Sequence, residues 1–420
     1  MVEFVSANPT GPMHVGHGRN AAYGDTVANL LEAAGWAVWR EYYINDAGRQ
    51  TDVLAVSVWL RYLQACGVSL AFPQRAYPAD YIRHTAERLR AVHGDQAFRV
   101  AGLDGITPEP QAPVDADDAE KNRIKLAQEA HVDQWITLAR NGLGDDYALI
   151  RQAALDDQLT TIRATLEAFS VRFDQWTSEA ELVRGGAVQR ALQRLDGLGL
   201  TYTHDGAVWM RAESLGDEKD RVLIKADGAA TYYCNDLAYH VDKLDRGWPR
   251  LLDVWGADHH GYIARVRAAI EALTGRTDAL DVQLIQFVTL SSGRMGKRSG
   301  NFVTLQDLIE EAGADATRFF YLMRGHEQHL EFDVDLARSR SNDNPVYYVQ
   351  YVHARISSIL RKGKEQGIES DAWDDITMKQ LVEPEEINLI KAMDQYPAVV
   401  EKSAVFREPH RITYYLMSLA

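Results

Sequence analysis

His14 and His17 flank Val15 and Gly16 in the run Asn8-Pro9-Thr10-Gly11-Pro12-Met13-His14-Val15-Gly16-His17-Gly18, between an apolar strand-like opening and a helical pattern. Two residues three positions apart share one face of a helix. At the first turn of that helix, unpaired N–H groups and the positive dipole end favour a phosphate. Gly16 removes a side chain, so that a flat base can approach the backbone. Far downstream, Ser291-Ser292-Gly293-Arg294-Met295-Gly296-Lys297-Arg298-Ser299-Gly300-Asn301 is a cationic run punctuated by glycines. Lys297 and Arg298 on such a hinge can swing onto a triphosphate and neutralise charge as the leaving group departs. Each stretch alone also has a plainer reading, an ordinary helix start or a solvated turn. Together they suit nucleotidyl transfer from ATP, with the carboxylate of a second substrate attacking the α-phosphate. Such an enzyme supplies no nucleophile. Its work is positioning, worth on the order of 7 to 11 kcal/mol, and charge neutralisation, about 3 kcal/mol per preorganised donor. In the turn Gly256-Ala257-Asp258-His259-His260, Asp258 suits the two ribose hydroxyls, as acidic residues after parallel strands do; a helix N-cap is its other reading.

The elements that would position these groups alternate as in a nucleotide-binding α/β fold. Residues 2–7 read as a strand, 16–34 as a helix closed by Gly35, 36–44 as a strand and 48–63 as a second helix. From about residue 64 to 220 the pattern turns helical and charged, broken by a Pro-rich acidic stretch at 107–118, and reads as an insertion. Strands are then expected at 222–225, 251–255 and 282–290, with helices at 231–244 and 262–273. Beyond about 341 the chain reads as helical, with aromatics such as Tyr347, Tyr348 and Tyr351 at helical spacing and expected in a core. The expected class is therefore α/β, a Rossmann-like parallel sheet split by a helical insertion and followed by an all-α helical bundle. The divisions are 1–63 and 221–290 for the two halves of the catalytic domain, 64–220 for the insertion, 291–340 for the loop and stem-contact region, and 341–420 for the bundle. A parallel sheet gathers the turns after its strands at one edge, so the His14/His17 turn, the 256–260 turn and the basic loop can converge.

Composition excludes several classes. At 420 residues and 46% apolar content the chain can bury two or three cores, and its formal net charge of −15 gives no general attraction for nucleic acid. RNA contact would fall to local basic patches such as Arg355, Arg361, Lys362 and Lys364. Two distant cysteines, Cys66 and Cys234, argue for a reducing cytoplasm without a disulfide framework or a cysteine-type zinc site. No signal peptide or long apolar span is visible, so no membrane role is expected.

The residues quoted resemble the class I aminoacyl-tRNA synthetases, the arginyl type among them. The opening Val2-Glu3-Phe4-Val5-Ser6-Ala7-Asn8-Pro9-Thr10-Gly11-Pro12-Met13-His14-Val15-Gly16-His17 is similar to the family's first signature, and Met295-Gly296-Lys297-Arg298-Ser299 to its second. Asp220–Lys225, Thr231–His240 and Trp255–Tyr262 follow the arginyl pattern as well. In the second signature Arg294 stands at the usual first lysine and Gly296 at its serine, which keeps charge but trades a point charge for a planar fork.

The resemblance implies ATP with Mg²⁺, L-arginine and tRNA(Arg) as the molecules handled, and a monomer. It implies catalytic roles for His14, His17 and Lys297. ATP contacts fall to His14, Gly16, His17, Gly256, Asp258, His259, His260, Met295, Lys297 and Arg298, with the choice between His259 and His260 open. Tyr232 and Asp236, one helical turn apart, would line the guanidinium pocket, while Glu3, Ser6, Asn8 and His14 would hold the α-amino and carboxylate end. A buried guanidinium needs carboxylate partners, ideally bidentate, and such a pocket rejects analogues by about ten thousand fold or more, so the insertion need not be an editing domain. Arg184, Arg190 and Arg194 are candidate phosphate contacts or simply a solvated helix face. Relatives also carry a further N-terminal domain and a longer C-terminal one, and need bound tRNA to form the adenylate, so reduced activity is expected. Two other readings are a small-molecule adenylyltransferase of the same superfamily and a non-catalytic synthetase-like RNA-binding protein.

Overall fold

The computed structural model describes residues 1–113, 115–291, 303–368 and 379–420. Ten strands are described: β1 Val2–Glu3, β2 Arg40–Ile44, β3 Gln175–Ser178, β4 Thr201–His204, β5 Ala207–Met210, β6 Arg221–Ile224, β7 Leu251–Gly256, β8 Leu280–Ile285, β9 Val288–Leu290 and β10 Leu330–Phe332. Five of them form a wholly parallel sheet in the order β3-β2-β1-β7-β8. The chain runs outward from β1 to β3, then returns to β7 on the other side of β1. The strand order therefore reverses between β1 and β7, and a crevice opens outside the carboxyl ends of those two strands.

The expected first strand stops four residues early. Val5 and Ser6 adopt positive φ angles of 67° and 39°, a region where a β-branched residue is strained. The chain there leaves the sheet and runs across its edge. Asn20, on the helix Val15–Ala33, holds the bend by accepting from the Val5 N–H at 2.7 Å and donating to the Val254 carbonyl at 3.0 Å. One amide thus ties β1 and β7 together where they part. The same helix packs tightly on the bend: a Cβ at Gly24 would lie 2.3 Å from the Phe4 ring.

Three expectations about the sheet are corrected. Gln175–Ser178, inside the expected insertion, is an edge strand of the parallel sheet. Residues 221–224 join β4 and β5 in a separate antiparallel sheet, because the Asp205-Gly206 turn closes a local hairpin. The expected strand 282–290 is broken at Gln286 and Phe287 into β8, in the parallel sheet, and β9, which pairs with β10. The apparent second strand also starts late, at Arg40.

Hydrophobic packing follows these layers. One core lies between the sheet and the helix Val15–Ala33, and another is built on the opposite face by Tyr233, Leu237, Val266 and Ile270. A third, around Trp59, Ile82 and Trp135, belongs to the helices Arg49–Ala65, Asp80–His93, Asp118–Leu143 and Asp145–Ala168. The C-terminal region forms helices Pro345–Glu365, Pro384–Asp394, Tyr396–Phe406 and His410–Leu419. Its aromatics depart from expectation: Val346 is the buried residue of Pro345–Glu365, while Tyr351, Ile356, Ile359 and Leu360 are exposed.

Candidate active site

A cleft of ≈ 620 Å³ occupies the switch point, lined by Val5–Asn8, the start of the first helix, the turn after β7, and Ile285–Val288. That size suits a nucleotide-scale ligand. His14 is the N-cap of the helix, and its Nδ1 accepts from the Gly16 and His17 N–H groups at 3.0 and 3.2 Å. His17 returns the arrangement, its Nδ1 accepting from the His14 N–H at 3.3 Å. The rings stack with centroids 3.5 Å apart. Because both Nδ1 atoms accept, the neutral rings carry their protons on Nε2. Burial lowers the His14 pKa, and burial followed by the neighbouring His14 pulls His17 to about 3. Two neutral N–H donors therefore stand at a helix N-terminus, which suits phosphate recognition. Gly16 has a reason other than base approach: a Cβ there would lie 3.0 Å from the His14 ring, so the glycine makes room for the imidazole.

Across the cleft, Gly256, Asp258 and His259 form the β7 side, and His260 is not part of the lining. Asp258 caps no helix, since no side-chain cap bond is made at Gly256 or His259. Its carboxylate stays exposed beside His259, 3.6 Å away. Met295, Lys297 and Arg298 lie outside the described residues.

The amino-acid side is built differently. Ser6 and Asn8 line the cleft, Asn8 donating to Gln50 at 2.8 Å. Glu3 does not line it. Its Oε1 accepts from the Ser6 hydroxyl at 2.8 Å and its Oε2 from Lys243 at 2.5 Å, so the expected direct contact becomes support for Ser6. Lys243, fully buried, also donates to Asp253 at 3.0 Å. Burial opposes that ammonium charge, but Asp253 and Glu3 outweigh it and raise its pKa. Asp253, for which burial is likewise outweighed by Lys243 and His240, falls to about 2.

Asp236 sits on the helix Tyr232–Asp245, whose N-cap Thr231 accepts from the Cys234 N–H. Its Oδ2 atom is buried without a hydrogen bond, although the side chain as a whole is 26% exposed and, like Glu3, is not part of the cleft lining. A buried, unsatisfied carboxylate oxygen asks for a cationic ligand. Near it lies Glu179, a residue the sequence did not single out, buried at the start of a helix after β3 and accepting from Asn235 at 2.9 Å. Burial raises the Glu179 pKa. Both carboxylates act on Tyr43 at the end of β2. Tyr232 is 74% exposed and does not line the cleft.

The three arginines proposed for phosphate contacts are engaged locally. Arg194 pairs with Asp245 at 2.6 Å, Arg190 lies 3.7 Å from Asp242, and Arg184 donates to the Ala180 carbonyl. Among the described residues, no group of three or more His, Cys, Asp or Glu side chains is placed to hold a metal ion.

Two family models match the chain: the class I tRNA synthetase (R) catalytic domain over residues 1–66 and 125–330, and the DALR anticodon binding domain over 349–420. The chain belongs to the arginyl class I aminoacyl-tRNA synthetases. It is 49% identical to the arginine–tRNA ligase of Thioalkalivibrio sulfidiphilus, with 100% of this chain and 71% of that protein covered, and 47% identical to that of Halorhodospira halophila, with 100% and 70% covered. A solved arginyl-tRNA synthetase structure from Campylobacter jejuni superposes with a TM-score of 0.81 at 30% identity, covering 100% of this chain and 82% of that one. The Thermus thermophilus structure, at 23% identity and TM-score 0.69 over 100% and 72%, shares the fold.

Proposed function

We propose that this chain is an arginine–tRNA ligase that condenses L-arginine with ATP to arginyl adenylate and passes the arginyl group to the 3′ end of tRNA(Arg). The observations that support this reading are two neutral Nε2–H donors for phosphate in the cleft and, on the helix Tyr232–Asp245, an Asp236 carboxylate oxygen that is buried without a hydrogen bond and suits a guanidinium. In this reading His14 and His17 donate to the triphosphate, Asp258 takes the ribose hydroxyls, and His259 is the member of its pair that faces the nucleotide. Ser6 and Asn8 orient the α-amino and carboxylate end so that the carboxylate meets the α-phosphate in line. Asp236 and Glu179 pair with the guanidinium, and Tyr232 folds over it. Met295, Lys297 and Arg298 keep the roles that the second signature implies.

Mg²⁺ would be held chiefly by phosphate oxygens, as is usual for this ion, and would neutralise their charge. Among the described residues no group of three or more His, Cys, Asp or Glu side chains forms a cage for the ion. Residues 341–420 serve the anticodon side. Two buried free cysteines fit a reducing cytoplasm, and the family resemblance implies a monomer.

Calorimetric titration with arginine, lysine and a non-hydrolysable ATP analogue tests the reading. Arginine binding at least a thousandfold tighter than lysine is expected. Equal binding of the two amino acids contradicts it, and binding of neither turns the chain into a synthetase-like protein without the activity.

A further inference from the structure

An unbroken series of side-chain contacts runs from Ser6, in the cleft lining, to Asp236 on the helix Tyr232–Asp245. Ser6 Oγ donates to Glu3, Lys243 bridges Glu3 and Asp253, and the Asp253 Oδ2 faces His240 Nε2 at 2.9 Å. On its other side, His240 Nδ1 faces the Asp236 main-chain oxygen at 2.8 Å and the Asp236 Oδ1 at 3.4 Å. The ring is 1% exposed. A carbonyl oxygen can only accept, and so can a carboxylate that already holds an ammonium. Both ring nitrogens therefore donate, and His240 is an imidazolium on geometric grounds. Its pKa follows: burial opposes the charge, but Asp236 and Asp253 outweigh burial and lift it to about 10, with Lys243 acting against them. The other groups in its surroundings are Glu3, reached through Lys243, the ring of Tyr239, 6.0 Å away, and the phenol of Tyr262, which meets Asp236 from the helix His260–Thr274.

We propose that His240 is a positioning residue for amino-acid recognition, an imidazolium that fixes Asp236 at a set distance from Ser6 and leaves Asp236 Oδ2 free for the guanidinium. This role rests on the arginine-activating reading above and deepens it. The Nδ1–H donates to the Asp236 main-chain oxygen, and the imidazolium charge 3.4 Å from Oδ1 draws that carboxylate oxygen toward the ring. The Asp253–Lys243–Glu3 links tie it to the bend at Ser6, which holds the opposite end of the substrate. Such a strut sets the length of side chain that fits, so it bears on the choice between arginine and homoarginine, which is one methylene longer.

Three measurements test the proposal on the 420-residue chain. In wild-type protein with ¹⁵N-labelled histidine, the nitrogen spectrum is expected to show one imidazolium with both ring nitrogens protonated at pH 8.5; His240 neutral at that pH overturns the proposal even if every variant fails to fold. In His240→Gln and Asp253→Asn, arginine affinity is expected to fall roughly tenfold or more, as for loss of a charge-assisted hydrogen bond, while affinity for an ATP analogue stays within about twofold of wild type by the independence of separate sites. The preference for arginine over homoarginine should narrow by roughly tenfold, the worth of a methylene in a fitted pocket. Unchanged arginine affinity, or equal losses for arginine and the ATP analogue, overturns the positioning role. Wild-type protein that binds no arginine overturns instead the functional reading on which the role depends, whatever the nitrogen spectrum shows.

Discussion

The two sides of the cleft hold their groups by different means. On the nucleotide side, His14 and His17 are fixed by backbone N–H groups within the same helical turn, and both rings are neutral. On the amino-acid side, Asp236 is fixed through His240, Lys243, Asp253 and Glu3, charges that come from β1, β7 and the helix between them. The first side is a local construction that uses the ends of a helix. The second is a tertiary one, in which burial of each charge is tolerated because another stands against it. A phosphate needs donors that a helix start already provides, whereas a guanidinium needs a carboxylate held in low dielectric, which no single element supplies.

Breaking each side should therefore have different consequences. Lys243→Met leaves Glu3 buried without its cation, beside an Asp253 that keeps only His240, and a loss of about 3 to 5 kcal/mol is expected from an unpaired buried charge, measured by urea unfolding. His17→Ala should instead spare most stability while costing about 100- to 1,000-fold in the rate of adenylate formation, the worth of one preorganised donor. A stability loss at His17 as large as that at Lys243 would erase the distinction between the two sides.

The distinction also has a pH signature of opposite sign. His17 falls to about 3 in the folded chain from an unfolded value of about 6.5, so the unfolded chain binds its proton first. Its contribution is present above about pH 6.5 and is lost as pH drops toward 3. His240, lifted to about 10, is the reverse: its contribution is complete below about pH 6.5 and is lost as pH rises toward 10. Stability measured against pH should flatten on the acid side in His17→Gln and on the alkaline side in His240→Gln. The smallest effect expected is at the cap of the helix that carries Asp236, where Thr231→Ala should cost about 1 kcal/mol with arginine selectivity retained.

Local construction is also what made the nucleotide side legible. Strand, turn, His14, Gly16 and His17 are contiguous, so helix periodicity and cap chemistry placed them before any fold was in hand. The alternation of strands and helices likewise announced a parallel sheet. The misreadings have physical causes. Val5 and Ser6 are apolar or neutral residues whose left-handed backbone is imposed by Asn20 and the packed Phe4, and no local preference signals it. Strand β6 carries the same apolar run as a parallel strand, and only the hairpin before it diverts it. Glu179, His240, Lys243 and Asp253 could not be singled out, because a charge in a helix or strand normally faces solvent and its burial depends on partners up to 240 positions away. Asp236 was found through the family pattern; its orphaned oxygen is a fact of packing.

The most direct test of the account is isotope exchange between pyrophosphate and ATP in the presence of tRNA(Arg), with arginine, lysine and homoarginine as the amino acid, in wild-type and Asp236→Asn protein. Exchange driven by arginine alone, and lost by at least a hundredfold when the carboxylate becomes an amide, is the predicted result. Exchange supported equally by lysine, or arginine-driven exchange undiminished in Asp236→Asn, would contradict it.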